Sequence, residues 1–387
     1  MKIIRSLAAA ILAASLAQSA SAQDKSPVTI VNLVEMTGAG AIAGTNFNNG
    51  VLLAAKEINA AGGILGRPLN LVTIDTQTNA EVAKAKAKEA VAQKPYAIMG
   101  PVFSDMVLAT MDETRDAGIL HFIGGEATII TTRGHPSLFR TSFTQATAMP
   151  QFARYIKDRV RVGSVAVVWV QNEFGKGGRD AIVNALQAQG IKVVADLPAA
   201  PRQSDFTDIV AKIKQADPDA VFLYLNEDES PFLLRALYDQ VYDGWILGET
   251  TVLGQRVIDM AGEAADGVRG HVGLTPDALQ PDIRAYHNNY LREFKQKSDH
   301  NGMKGYTGLY ILKAATEKAG KFDPAEVAKS MKGLSLQAKD HSGILLDVKY
   351  DDKGDLTRSS FIVRVSNGRH QFLATLPPYE DGAATPK

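Results

Sequence analysis

The sequence predicts an α/β protein of two doubly wound lobes joined by a hinge, and three observations carry the prediction. Residues 28–143 repeat a short apolar strand, a glycine-bearing or polar corner and a helix; residues 144–251 repeat the unit; and from about Pro281 the pattern is mostly helical. Such alternation argues for parallel sheets covered on both faces. The chain has 387 residues and 45% hydrophobic content, enough for about two cores.

Val28 to Val34 is apolar and β-branched, a buried strand, and the loop Glu35 to Gly44 follows it. A helix is predicted from about Thr45 to Ala60, with Val51, Leu52, Ala55 and Ile58 on one face and Gly62-Gly63 beyond its end. Leu69 to Ile74 is a second strand, and Ala80 to Gln93 a helix whose lysines form a solvated face. Ala97 to Met99 and Ile119 to Ile123 are short buried strands stopped at Gly100-Pro101 and Gly124-Gly125, with a helix opened by Ser104 between them. The C-terminal ends of such strands meet at one sheet edge, where helix N-termini present unpaired amides and ligands bind.

After a pause around Phe139 to Phe143, a helix from about Ala146 to Arg161 begins the second series. Strands are predicted at Val165 to Val170, Ile191 to Leu197, Ala220 to Leu225 and Gly244 to Gly248. Helices are predicted at Gly175 to Gln189, at Phe206 to Ala216 and after Asn226-Glu227-Asp228-Glu229-Ser230 through Gln240. The helical third part covers Pro281 to Lys297, Tyr306 to Lys318 and Asp323 to Met331, and has too few strands to form a domain alone. It is therefore expected to return to the first lobe, with Ile344 to Tyr350 as an added strand and Phe361 to Val365 crossing back to the second. The expected partition is residues 1–22 as a signal peptide, 23–143 plus 274–354 as lobe I, and 144–273 plus 355–387 as lobe II.

Lys2 and Arg5 precede an apolar run from Leu7 to Ala17, and Ala20-Ser21-Ala22 supplies small residues for a signal peptidase. The run is too short to span a bilayer, so the expected mature protein begins near Gln23 and is soluble in the periplasm. Losing residues 1–22 leaves 40 basic against 42 acidic residues, no basis for nucleic-acid binding. With no cysteine in the chain, disulfides and thiolate metal sites are excluded.

Gly38, Gly40 and Gly44 resemble a dinucleotide fingerprint, but the last spacing is one residue too long and Asp75 lies too far on. A glycine-rich turn that lets a ligand or a facing lobe approach the backbone is the better reading. The seven histidines are scattered, without an HExxH pair, a GxSxG elbow or a Walker lysine. His121 lies in an apolar run and reads as a satisfied core histidine. No catalytic residue, metal site or cofactor is expected, and the chain is not expected to be an enzyme. What remains is polar groups at strand ends: Ser104, Gly124, Gly125 and Glu126 from the first lobe; Phe174, Asn226, Glu227, Glu249 and Thr250 from the second. Ser104 could equally cap its own helix.

Taken with the export signal, Asn48-Asn49-Gly50, Asn59 through Arg67, Gly100-Pro101 with Ser104, Phe139-Arg140-Thr141 and Ala261 through Gly267, the chain resembles the periplasmic solute-binding proteins of the branched-chain amino acid type. The resemblance implies the type I periplasmic binding protein fold, in which two α/β lobes are joined by three crossings. It also implies capture of a small solute for an ATP-driven membrane permease. In amino-acid binders of this family the positions of Ser104, Gly124 and Glu126 hold the ligand carboxylate. Here a glutamate replaces a hydroxyl at 126, Phe174 stands for a tyrosine, Ala43 for an aromatic, and Thr250 for the glutamate that meets the ligand ammonium, with Glu249 adjacent. These departures weaken leucine-like specificity.

Acids at Glu126, Glu227 and Glu249, with Glu35 nearby and no lysine or arginine at the same strand ends, favour an amino acid or related small nitrogenous solute. A small carboxylate or aromatic acid is the alternative ligand. A ligand-sensing protein of the same fold is the alternative role, and the chain is expected to be a monomer.

Overall fold

The computed structural model describes residues 24–379; the segment read as a signal peptide lies outside the described residues. Five strands form a wholly parallel first sheet: β1 (Val28–Val34), β2 (Leu69–Asp75), β3 (Ala97–Met99), β4 (Leu120–Ile123) and β5 (Leu138–Arg140), in spatial order β2-β1-β3-β4-β5. Between them run α1 (Ala41–Ala60), α2 (Ala80–Ala92), α3 (Ser104–Asp116) and the short α4 (Ile129–Thr132). The sheet order reverses direction at β1, and the strands on either side of that point deliver Glu35, Gly100 and Gly124 to one edge. β1 is buried along nearly its whole length, as a central strand covered on both faces must be.

The chain then enters α5 (Gln145–Tyr155), which ends in one wide turn closed by Arg161 N–H on the Ile156 carbonyl. The second sheet contains β6 (Ser164–Val170), β7 (Lys192–Ala199), β8 (Ala220–Tyr224), β9 (Trp245–Gly248) and β10 (Arg269–Val272), all parallel. Its helices are α6 (Glu173–Ala188), α7 (Thr207–Ala216), α8 (Ser230–Asp239) and α9 (Gln255–Ala261).

A third part brings α10 (Pro281–Phe294), α11 (His300–Ala319) and α12 (Pro324–Met331) back onto the first half. α11 lies directly against α1. A β-carbon added at Gly50 would run into the Gly302 carbonyl, and one at Gly305 into the Phe47 carbonyl, so these glycines set the helix separation. That contact makes nearly the whole of α11 from His300 to Leu312 buried, including Lys304.

The added strand departs from expectation. Val348–Tyr350 is β12 of a separate antiparallel sheet with β11 (Ser335–Leu336) and β13 (Leu356–Thr357), rather than a sixth strand of the first sheet. The short β5 edge is met by Arg140 N–H on the Gly354 carbonyl at 2.9 Å and the Tyr350 hydroxyl on the Arg140 carbonyl at 2.7 Å. The chain leaves β13 at Thr357 and enters the second sheet as antiparallel β14 (Ser360–Ser366) and β15 (Arg369–Leu376), giving the order β15-β14-β10-β9-β8-β6-β7. It thus passes between the two halves three times: after β5, after β10 and at Arg358-Ser359. No helix among the described residues is long and apolar enough to cross a membrane.

Candidate functional site

Strand ends of the two sheets face each other across the crossings, and all nine residues predicted from sequence are buried there. The halves touch directly: Glu173 N–H donates to Asp105 Oδ1 at 3.2 Å, Gln145 N–H to the Glu126 carbonyl at 3.2 Å, and Asn301 Nδ2 to Glu227 Oε1 at 3.1 Å. A cavity of 490 Å³ opens at the mouth between Phe103, Asp105 and Met106 on one side and Asn172, Arg202 and Asn226 on the other. A larger one of 700 Å³ lies between α5, α6 and the first-half residues Ala127 to Ile129, and none of the predicted residues lines it.

In the first half Ser104 is the first residue of α3, not its cap. Its hydroxyl instead accepts the amides of Glu126 and Ala127 at 3.2 and 3.1 Å. Gly124 N–H donates to the Pro101 carbonyl, and the Gly125 carbonyl accepts Arg140 Nη1. The loop expected to offer amides to a ligand therefore spends those of Gly124, Glu126 and Ala127 internally. Glu35, expected as a lining acid, is also consumed: its carboxylate accepts Val102 and Phe103 N–H at 3.1 and 3.0 Å. Burial still pushes its pKa up to about 7.

Glu126 is different. One oxygen takes Lys304 Nζ at 2.6 Å and Ser142 Oγ at 2.7 Å, while Oε2, equally buried, has no partner among the described residues. From the second half Glu249 presents Oε1 without a well-made partner among the described residues, its Oε2 accepting from Thr251 N–H and Oγ1. Burial, and then the Glu126 charge, push the Glu249 pKa above the usual carboxylate range. The Tyr224 hydroxyl beside them forms no well-made hydrogen bond, and its pKa is driven up by burial and by both carboxylates. Its ring packs 4.7 Å from that of Phe174 and against the backbone of α6, where Gly178 has no β-carbon to obstruct it.

Other predicted residues act mainly in the framework. The Thr250 hydroxyl bridges the His271 carbonyl and Gly273 N–H at the end of β10. The backbone of Asn226 is held by Glu229 and Ser230. Glu227 faces Asn301 and, at 3.9 Å, His300; burial and the nearby Asp299 charge push its pKa up to about 8. His121 is the core histidine expected, bonded to Thr114 and the Gly100 carbonyl, with its pKa pushed down to about 3 by burial. Among the described residues no cluster of three or more potential ligands could hold a metal.

The acids at the strand ends are joined by basic residues from outside those strand ends. Lys304, only 3% exposed, enters from α11, and Arg358, 6% exposed, from the third crossing. Arg140, at the end of β5, is buried too, and Asp355 holds its guanidinium at 2.8 Å. Sequence reasoning misses Lys304 because it falls between the predicted helices Pro281 to Lys297 and Tyr306 to Lys318. The signal was there: a lysine between glycines in the stretch His300 to Leu312, where a solvated residue would break the packing against α1.

Two α/β halves with three crossings, and unspent polar atoms buried where their strand ends meet, define a solute-binding protein of the type I periplasmic binding fold. The chain belongs to the periplasmic binding protein family, whose model matches residues 27–369. It is 26% identical over 362 residues to the leucine-, isoleucine-, valine-, threonine- and alanine-binding protein of Pseudomonas aeruginosa, covering 92% of this chain and 94% of that one. Among solved structures it is similar to a leucine-binding protein from Thermotoga maritima (TM-score 0.83, 21% identity, 91% and 99% of the two chains). It is equally similar to a solute-binding protein of an ABC transporter from Rhodopseudomonas palustris in complex with 3,4-dihydroxybenzoic acid (TM-score 0.83, 21% identity, 93% and 99%).

Proposed function

We propose that the protein is the periplasmic substrate-binding component of an ABC importer, and that it captures an amino acid or a related small amino-bearing solute between two halves that close as a hinge. One observation carries the ligand class. Glu126 Oε2 and Glu249 Oε1, one from each half, are buried acceptors without donors among the described residues, and burial, then the Glu126 charge, raises the cost of ionising Glu249. An ammonium between them supplies donors to both and cancels the repulsion. Because the two oxygens belong to opposite halves, the same ammonium would hold the cleft shut. Export through residues 1–22, delivery to permease subunits in the inner membrane and the absence of catalysis belong to this reading, in line with the family and with the relatives' names.

A thermal-shift screen tests it, since a ligand that binds the folded state raises stability as RT ln(1 + [L]/Kd). Amino acids should shift the melting temperature, and their des-amino counterparts should not. A shift by anions lacking nitrogen, and by nothing else, would overturn the amino-group reading. Capture of an aromatic acid is the second reading. The buried cations Lys304 and Arg358 and the Phe174–Tyr224 ring pair favour it, and the Rhodopseudomonas palustris protein carries such a ligand.

A further inference from the structure

Arg358 sits on the third crossing between the halves, buried, with its guanidinium divided in use. Nη1 donates to the Thr141 carbonyl at 3.3 Å, whereas Nε and Nη2 have no partner among the described residues. Those two nitrogens form one side of the guanidinium plane, the edge that matches the two oxygens of a carboxylate. The space beside Nη2 is kept by Gly273, where a β-carbon would press on both Arg358 and the Phe143 ring. The guanidinium lies within the field of the cleft residues: after burial and Tyr350, Glu126 acts on it, and its charge adds to the burial that holds down the pKa of His271 on β10 and, behind burial, Lys304 and His370, that of His300 on α11. Leaving half of a buried guanidinium unmatched is costly unless something charged completes it.

The loop at residues 124–127 is a poor anion site, because its Gly124, Glu126 and Ala127 amides are already donated within the protein. Lys304 is likewise committed to Glu126. We propose that Arg358 is the carboxylate anchor of the cleft, so that the ligand lies with its carboxylate toward the crossings and its ammonium toward Glu126 and Glu249. This rests on the amino-ligand reading above and adds the position of the anion to it. It makes the preferred ligand a zwitterion: among the described residues Arg358 Nε and Nη2 are buried donors without an acceptor, and Glu249 Oε1 is a buried acceptor without a donor. It also makes Arg358 a specificity-determining residue, since a fork of two donors accepts a carboxylate and not a carboxamide of the same shape.

Calorimetric titration of the wild-type protein with the twenty protein L-amino acids and γ-aminobutyrate selects the tightest binder of that panel. That compound and its primary amide are then titrated into wild type, Arg358→Met and Arg358→Lys. The wild type should favour the acid over its amide by at least roughly tenfold, the scale of a charge-assisted hydrogen bond. Arg358→Met should bind both weakly and alike, and Arg358→Lys should fall between, because an ammonium offers a point charge rather than a fork. Ligand-free Arg358→Met should melt no lower than wild type, since an unmatched buried charge has been removed. If Arg358→Met or Arg358→Lys retains the full preference for the acid, the anchor is elsewhere and the proposal falls. If wild type binds 4-hydroxybenzoate and no amino acid, the amino-group reading fails separately. The anchor then stands if Arg358→Met loses 4-hydroxybenzoate and falls if it keeps it.

Discussion

β1 and β9 each end in a glutamate directed inward, and the two side chains live differently. Glu35 follows β1 and is answered at once by the Val102 and Phe103 amides, so a buried carboxyl becomes a clamp between two loops of the first half. Glu249 follows β9, and one of its oxygens meets only the field of Glu126 from the other half. Burial raises the pKa of both. The difference teaches that neither burial nor a raised pKa marks a binding residue here; what marks it is an acceptor the protein leaves unanswered, facing the opposite half.

Removing the cation that answers Glu126 should have the largest effect on this contrast. Lys304→Met leaves Glu126 with Ser142 alone in a buried site and should cost about 3–5 kcal/mol of stability, read from denaturant unfolding. A loss under about 1 kcal/mol would mean that Glu126 is protonated or solvated in the folded protein. Glu249→Gln comes next and should act on affinity. It should weaken binding of an amino acid by about 1.5–3 kcal/mol, with ligand-free stability unchanged or higher. In the parent protein that affinity should also fall as pH is lowered from about 8 to about 5.5, because Glu249 must lose its raised-pKa proton to receive an ammonium; the variant should lose this slope. Calorimetry at several pH values reads both effects, and an unchanged slope in Glu249→Gln would remove this residue from the ammonium site.

Ser104→Ala strands the Glu126 and Ala127 amides and should cost roughly 1–2 kcal/mol of stability, with a loss of affinity because the loop carrying Glu126 is released. Full affinity in that variant would show that the loop is held without Ser104. Glu35→Gln should have the smallest effect, about 1 kcal/mol at acidic pH, and leave affinity alone. The sign of its pH dependence follows from a pKa raised from 4.5 to about 7. The folded state binds the Glu35 proton more tightly, so its contribution to stability is complete below about pH 4.5 and is lost as pH rises through about 7. The deficit of the glutamine variant, which mimics the protonated form, should therefore shrink toward alkaline pH. A deficit that grows instead would mean Glu35 is ionised throughout.

Parallel strands such as Val28–Val34 and Ala97–Met99 were legible because both faces are buried, and continuous apolar runs ending at a polar or glycine corner have few other solutions. Short or alternating strands were not: Leu138–Arg140, Arg269–Val272 and Arg369–Leu376 carry polar or charged residues and owe their pairing to neighbours distant in sequence. The start of α11 was placed six residues late, at Tyr306 instead of His300, because Gly302 and Gly305 lower helix propensity and only the contact with α1 restores it. In the cleft, the acids at strand ends could be read locally, since they follow their strands. Lys304 and Arg358 could not, because a helix and a crossing more than a hundred residues downstream of Gln145 bring them in. The sequence therefore suggested a one-sided acidic lining where the fold assembles charges of both signs.

A crystal structure with the tightest-binding amino acid tests the central claim most directly. The account predicts one ligand nitrogen at about 2.7–3.1 Å from both Glu126 Oε2 and Glu249 Oε1. A ligand nitrogen bound elsewhere, with those two oxygens still without donors, would contradict it.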